Sequence, residues 1–171
     1  VHPSGTAMPL IHLVFGPQGA GKSTYAAALA ERERGVVLAI DPWMQGLFGP
    51  DLPRPISLPW VMERVGRCEA RIWQTARDVA ARGVPVVLDL GFMRRADRTR
   101  VAEQARQAGL PVQAHWVSAD AATRRARVMA RNQTRGGTFA FEVSPAMFDA
   151  MEARFEAPDD RELAAAIVHQ G

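Results

Sequence analysis

Short apolar segments recur along the chain and alternate with longer stretches in which apolar residues return every three or four positions. Near-continuous apolar segments of this kind are typical of strands that are covered on both faces of a sheet. The segments are Leu10–Phe15, Val36–Ile40, Val84–Leu90, Val112–Val117 and Ala165–Val168. Because helical stretches separate them, the pattern predicts an α/β fold with a five-stranded, mainly parallel sheet. Right-handed crossovers then place the functional loops at the carboxyl ends of the strands.

The stretches between these segments predict helices. One covers Tyr25–Arg34, a long one covers Pro59–Arg82 with Ser57 as its cap, and a later one starts at Ser144-Pro145. A glycine follows three of the predicted helices, at positions 35, 83 and 109, where a left-handed residue commonly ends a helix.

The segment Asp41–Ser57 lacks an obvious period and contains prolines at positions 42, 50, 53 and 55. It is therefore predicted to be a long irregular connection. Connections of this length in compact domains are usually functional.

A glycine-rich sequence joins the first predicted strand to the first predicted helix. It reads Gly16-Pro17-Gln18-Gly19-Ala20-Gly21-Lys22-Ser23-Thr24 and fits the phosphate-binding pattern G-x-x-x-x-G-K-[ST]. Glycines let successive backbone N–H groups converge on one anion, and the helix N-terminus adds partial positive charge. Lys22 is expected to reach the outer phosphates and the Ser23 hydroxyl to bind Mg²⁺. We therefore predict that Gly16 and residues 18–24 bind a nucleoside triphosphate; a chance glycine-rich turn would not need the flanking strand and helix.

Lys22 is also the one lysine among the 21 basic residues of the chain. A planar guanidinium does not fit where a slim point charge must enter a tight loop. The retention of lysine at this position alone supports the prediction of a nucleoside triphosphate site.

Composition limits the class of protein. The chain has 171 residues, of which 47% are hydrophobic, and is expected to form one domain over residues 8–171. Its net charge of +3 is compatible with anionic ligands but does not require nucleic acid as a partner. Residues 1–7 are interpreted as an N-terminal extension outside the fold. The single cysteine, Cys68, cannot form an internal disulfide and is expected to be buried, which favours a cytoplasmic location. The sequence contains no apolar run long enough to predict a membrane span or membrane partner.

Two aspartates end predicted strands. Asp41 follows the second strand, and Asp89 lies near the end of the third. An acid after an apolar strand is the Walker B pattern, and Asp89 is favoured for Mg²⁺ because the acidic strand usually lies beside the phosphate-loop strand. Asp41 would then lie across the cleft, where a carboxylate can accept the proton of an attacking hydroxyl. The alternative for either residue is an Asx turn or a helix cap.

Arginines form a second cluster. Arg124, Arg127 and Arg131 share one face of a predicted helix, and Arg135 with the following glycine pair predicts a mobile turn. Beside a phosphate loop, such arginines are interpreted as a lid that neutralises a phosphoryl group in transfer. The alternative is a solvated or nucleic-acid-binding basic helix. A further set on the long helix, Arg64, Arg67 and Arg71, is either a solvated face or the lining of an anionic substrate pocket.

Taken together, these motifs resemble the small P-loop kinases of the polynucleotide kinase, chloramphenicol phosphotransferase and zeta toxin group, which includes bacterial AAA-family ATP-binding proteins. The resemblance covers residues 16–24, Asp41, the segment Val86-Val87-Leu88-Asp89 and the arginines at 124–135. It implies a three-layer P-loop fold with strand order 2-3-1-4-5 and a helical arginine lid. It also implies that Asp41 is the base toward the acceptor hydroxyl and that the lid arginines contact ATP phosphates.

The sequence departs from that group just after Asp41. Its members often carry an arginine there, whereas the next arginine here is Arg54. The apolar side chains in between indicate either an apolar or aromatic acceptor pocket or packing of the connection; they are Trp43, Met44, Leu47 and Phe48. We therefore expect a kinase for a hydroxyl on a small molecule, such as an antibiotic or metabolite. A nucleotide or nucleic-acid 5′-hydroxyl kinase and a non-kinase NTPase switch are the alternatives.

Overall fold

A computed structural model describes residues 10–134 and 142–171 of the chain, so the predicted N-terminal extension and Arg135 lie outside the described residues. All strand pairs in the sheet are parallel. The strands are β1 (Ile11–Phe15), β2 (Val36–Ala39), β3 (Val86–Asp89), β4 (Val112–Ser118) and β5 (Ala166–Gln170). Their order is β2-β3-β1-β4-β5, which confirms the fold class and the order implied by the resemblance.

Helices connect the strands. They are α1 (Lys22–Glu33), α2 (Ile40–Phe48), α3 (Leu58–Ala80), α4 (Arg95–Gln107), α5 (Ala121–Thr134), α6 (Pro145–Arg154) and α7 (Asp160–Ala165). The predicted cap of the long helix is confirmed, since the Ser57 hydroxyl accepts a hydrogen bond from the Trp60 amide. Ser144 caps α6 in the same way.

The central strands β1 and β3 are buried on both faces, as their apolar sequences predict, whereas the edge strand β5 is mostly exposed, including Ile167 and Val168. On one face, Ile11, Leu13 and Phe15 of β1 pack with residues of α3 and α4, including Ile72 and Val101. On the other face, residues of the central strands pack against α1; they are Val14, Val87 and Val117, opposite Ala26 and Leu29. Cys68 belongs to the first of these clusters and is buried, as expected. The resulting rigid sheet fixes the loops at its carboxyl edge.

The prediction of an irregular connection after Asp41 is wrong over its first half. Residues 40–48 form α2, and a short 3-10 helix, Gly49–Asp51, follows. Pro42 is tolerated because it lies in the first turn of α2, where its missing N–H has no intrahelical acceptor. Trp43, Met44 and Phe48 pack against the core, and their spacing is helical. Helix α2 therefore starts one residue before Asp41 and presents that residue from its first turn.

Two further details differ from the sequence-based expectations. Arg34, with φ 55°, takes the left-handed position after α1 in place of Gly35. Gly35 is needed for another reason, because a Cβ there would lie 2.6 Å from the Pro85 carbonyl oxygen. The turn before the last strand contains α7, which begins with a capping box between Asp159 and Glu162.

Within the described residues, no helix has the length and apolar character needed to cross a bilayer.

Candidate active site

The loop after β1 is shaped by close backbone contacts. A Cβ at Gly16 would lie 2.0 Å from the Val117 carbonyl oxygen, so β4 passes too close for any side chain there. Gly19 has φ 77°, and a Cβ there would lie 2.5 Å from the Arg124 carbonyl oxygen. The loop is therefore clamped between β4 and the first turn of α5. Its curled backbone and the start of α1 form the anion-binding arrangement that the motif predicts.

Lys22 is the first residue of α1 and extends back into the loop. Its Nζ donates a hydrogen bond to the Pro17 carbonyl, at 3.1 Å. Burial lowers the pKa of Lys22, and the positive charges of Arg131 and Arg124 lower it as well. The negative charges of Asp89 and Asp41 raise it. The ammonium group thus lies in the same cleft as the two predicted acids and Arg131 of the predicted lid.

Ser23 and Asp89 lie in direct contact, although they are 66 residues apart in the sequence. The Ser23 hydroxyl donates to Asp89 Oδ2 at 3.1 Å, and Asp89 is buried at the end of β3. Burial raises the pKa of Asp89, whereas Lys22 and the Ser23 hydrogen bond lower it. A hydroxyl beside one carboxylate fits Mg²⁺, because this ion takes few protein oxygens and completes its shell with water and substrate phosphates. These two residues would hold the metal.

Asp41 lies across the cleft from the phosphate loop. It is exposed in the first turn of α2, where the positive end of the helix dipole favours a carboxylate. Its charge is felt by both Lys22 and Asp89, raising the pKa of each. Strand order explains the placement, since β2 and β3 are neighbours and their carboxyl ends meet on one side of the P-loop strand.

Arg124 does not project into the cleft with the other predicted lid arginines. It is buried, and its guanidinium donates to the carbonyls of Ala119 and Gln18 and to the carboxylate of Glu152. These contacts join the phosphate loop, α5 and α6. In this structure Arg124 holds protein groups, a role that the helical spacing of the arginines does not reveal.

Arg127 and Arg131 do line the cleft, from the same side of α5. Arg127 is exposed and donates to the Gly19 carbonyl at 3.5 Å. Arg131 is close enough for its charge to lower the pKa of Lys22. Two cations therefore face the phosphate loop from α5, as a lid would require.

The cleft has a volume of about 390 Å³. The predicted site residues that line it are Gln18, Gly19, Gly21, Lys22, Ser23, Thr24, Asp41, Asp89, Arg127 and Arg131. Gly16, Ala20 and Arg124 shape the loop from beneath, where Ala20 and Arg124 are buried. Sequence reasoning missed six further lining residues, namely Ile40, Gly91, Met93, Val128, Val143 and Met151. The position of Met93 shortly after the β3 acid was an available signal.

The arginines on α3 do not line this cleft. The Arg64 guanidinium lies 3.7 Å above the ring of Trp60, Arg67 pairs with Glu63 on the helix surface, and Arg71 donates to Gln74. They therefore form a surface face of α3, on which Arg64 stacks on Trp60. Of the two interpretations of their spacing, the structure favours the solvated face over the lining of a substrate pocket. A second cavity of about 400 Å³ lies between α3 and α4 and contains none of the predicted site residues.

A phosphate loop after the first strand of a parallel 2-3-1-4-5 sheet defines a P-loop protein with the fold of the small kinases. The chain belongs to the AAA domain family, which matches residues 11–158. No curated protein matches the chain.

Solved structures show the same fold. A presumed kinase from Chloroflexus aurantiacus J-10-fl superimposes with a TM-score of 0.73 at 18% identity, over 98% of this chain and 86% of that one. Chaetomium thermophilum Kti12, in complex with ADP-AlF3, gives 0.67 at 18% identity, over 95% and 89% of the two chains. Mycobacterium tuberculosis APS kinase, in complex with AMPPNP and APS, gives 0.63 at 16% identity, over 95% and 88%.

Proposed function

We propose that the protein is an ATP-dependent phosphotransferase that moves the γ-phosphate of ATP to a hydroxyl of a small molecule. One observation carries the proposal: Lys22, Ser23, Asp89 and Asp41 line one cleft at the carboxyl ends of β1, β3 and β2. Cations and a hydroxyl lie on the phosphate-loop side, and the exposed carboxylate of Asp41 lies on the opposite side. A phosphoryl donor and a hydroxyl acceptor need this separation of charge.

In an in-line phosphoryl transfer, the residues of the cleft have separate roles. The acceptor hydroxyl oxygen forms a bond to the γ-phosphorus, while the bond from that phosphorus to the bridging oxygen breaks and ADP leaves with the electron pair. Asp41 takes the proton of the attacking hydroxyl. Lys22, Arg127 and Arg131 stabilise the negative charge on the phosphoryl oxygens. Lys22 is held in the loop by its hydrogen bond to the Pro17 carbonyl, so its part of this stabilisation needs little reorganisation during the reaction.

Mg²⁺ bound by Ser23 and Asp89 would neutralise charge on the phosphate oxygens. The buried position of Asp89 keeps its carboxylate oriented toward Ser23 before any ligand arrives. Preorientation of this kind lowers the cost of assembling the site.

The test is a screen of hydroxyl-bearing compounds for stimulated ADP release, made in parallel with wild-type protein and Asp41→Asn. Productive acceptors should stimulate the wild type, and the Asp41→Asn response should be lower by about two to four orders of magnitude, the usual scale of acid–base assistance. Asp51→Asn is the matched control, because Asp51 is exposed on the 3-10 helix outside the cleft. An equal response in Asp41→Asn would remove Asp41 from the proposed role, and ADP release independent of any acceptor would indicate hydrolysis.

A further inference from the structure

The two ends of the cleft differ in chemistry. Cationic side chains come from the phosphate loop and from α5, whereas the end beyond β3 is contributed by residues that follow β2 and β3. Among the described residues, the charged side chain at this acceptor end is the carboxylate of Asp41, because Asp89 contacts Ser23 of the phosphate loop. The apolar residues at this end are Ile40 and Met93, and Val143 and Met151 add apolar surface from the segment around α6.

Met93 is fixed at the cleft by a strained turn. Gly91 and Phe92 have φ values of 84° and 42°, and the left-handed conformation at Phe92 is unusual for a residue with an aromatic side chain. Burial of Phe92 and a hydrogen bond from Arg98 to its carbonyl, at 3.0 Å, hold the turn in place. The Met93 carbonyl accepts a further hydrogen bond from the Glu156 amide, at 2.9 Å. Backbone strain that the surroundings maintain is typical of functional sites, and here it places a thioether in the cleft.

Among the described residues, the arginines that line the cleft are Arg127 and Arg131, both on α5. Arg54 and Arg94 are exposed and are not among the lining residues. Other arginines near this end in the sequence contact protein groups. Arg98 is buried in a bidentate pair with Glu162, and Arg95 lies within 3.3 Å of the same carboxylate. Arg64 is stacked on Trp60. An anionic substituent on an acceptor would therefore meet the charge of Asp41 next to apolar surface, and burying it there would carry a desolvation cost.

We propose that the acceptor is a neutral or cationic alcohol with an apolar body, one that carries no phosphate, sulfate or carboxylate group. This inference rests on the proposed phosphotransfer and adds the chemical class of its substrate. Asp41 attracts an ammonium group or accepts hydrogen bonds from neutral hydroxyls, and Ile40 and Met93 contact the apolar part. An anion would gain no favourable charge at the same place.

The test compares three alcohols that share one framework and differ in the charge of a single substituent, which is negative, neutral or positive. The set is phenyllactate, the matching alcohol with an uncharged methoxymethyl group in place of the carboxylate, and the one with an aminomethyl group at that position. Acceptor-dependent ADP release is measured at saturating ATP, together with an acceptor library that contains equal numbers of anionic and non-anionic alcohols. We expect the non-anionic members to have kcat/KM values at least about tenfold above those of their carboxylate counterparts, which corresponds to about 1.4 kcal/mol.

A Met93→Arg variant supplies the missing positive charge, and Met93→Leu controls for the change of side chain. Met93→Arg should shift the preference toward the carboxylate member, while Met93→Leu should keep the wild-type order. A wild-type preference for anionic acceptors overturns the inference and leaves the phosphotransferase in place. Absence of any Asp41-dependent ADP release overturns the proposed function itself, and the inference with it.

Discussion

Arg124 and Glu152 form an ion pair of 2.5 Å between α5 and α6, and the same Arg124 nitrogen donates to the Gln18 carbonyl of the phosphate loop at 3.3 Å. One buried guanidinium therefore connects the loop to the segment that follows the lid. The pair is largely shielded on its arginine side, whose side chain is 8% exposed, and more open at Glu152, whose side chain is 34% exposed.

The first prediction follows from this contact. Arg124→Ala leaves the carbonyls of Ala119 and Gln18 and the Glu152 carboxylate without their donor, so it should lower the free energy of unfolding by about 2–3 kcal/mol. Arg131→Ala removes a cleft side chain and should change it by less than about 0.5 kcal/mol. Urea denaturation of both variants measures the difference. Equal stabilities would contradict the structural role assigned to Arg124.

A second prediction concerns the lone lysine. Lys22→Ala and Lys22→Arg should both reduce ATP turnover by about 10²–10³-fold, because the first removes the charge and the second does not fit the narrow position beside the Pro17 carbonyl. Steady-state ADP release, together with binding of a fluorescent ATP analogue, checks both effects. Arg32→Ala, an exposed change on the same helix, should behave like the wild type. Wild-type turnover in Lys22→Arg would show that a guanidinium can replace the ammonium group at this position.

A third prediction separates the lid from the binding site. Arg131→Ala should slow phosphoryl transfer more than it weakens ATP binding, because a charge that stabilises the transition state contributes less to the ground state. The measurement compares kcat with the ATP dissociation constant from calorimetry. Arg71→Ala, on the exposed face of α3, is the control. Weaker ATP binding with an unchanged kcat would identify Arg131 as a nucleotide anchor.

The sequence predicts the phosphate loop and the five strands well because these depend on local relations. A strand, a glycine-rich turn and a helix follow one another, and the strand-end acids are read directly from the apolar segments that precede them. The contact between Ser23 and Asp89 requires only that β1 and β3 be neighbours, which is a property of the fold.

The remaining parts of the site depend on tertiary contacts that no local pattern encodes. The helical spacing of the arginines predicts that Arg124 belongs to the lid. In the structure, its buried guanidinium instead donates to Glu152 and to other protein groups. The prolines after Asp41 indicated an irregular connection, yet core packing of Trp43 and Phe48 stabilises a helix. Met93 enters the cleft through a left-handed turn at Phe92, a conformation that the sequence gives no reason to expect.

A fourth prediction uses two glycines with opposite environments. Gly19→Ala should impair both folding and ATP binding, because φ is 77° and a Cβ would lie 2.5 Å from the Arg124 carbonyl oxygen. Gly46→Ala should raise the free energy of unfolding by about 0.5–1 kcal/mol, since Gly46 lies inside α2 with no atom within 4 Å of a Cβ. Thermal unfolding and nucleotide titration measure both variants. A stable Gly19→Ala that binds ATP normally would contradict the clamped geometry of the loop.

The fifth prediction concerns a buried histidine pair behind the P-loop helix. His115 Nε2 and His12 Nδ1 share a hydrogen bond of 2.9 Å, and Tyr25 Oη lies 2.8 Å from His115 Nδ1. Burial, together with the neighbouring His12 and Arg32 and opposed by Glu33, lowers the pKa of His115 to about 4. Burial also lowers the pKa of His12. Both imidazoles therefore stay neutral in the folded protein at pH 7.

The unfolded chain protonates these histidines near pH 6.5, before the folded chain does. Their stabilising contribution is complete above that pH and is lost as the pH falls toward about 4. The loss for His115 is at most about 1.4 kcal/mol per pH unit. Urea denaturation at pH 7.5 and pH 5 should therefore show a smaller pH dependence in His115→Gln than in the wild type. His169→Gln, at an exposed position of β5, should keep the wild-type dependence. An unchanged pH dependence in His115→Gln would mean that His115 is not the group that loses stability in acid.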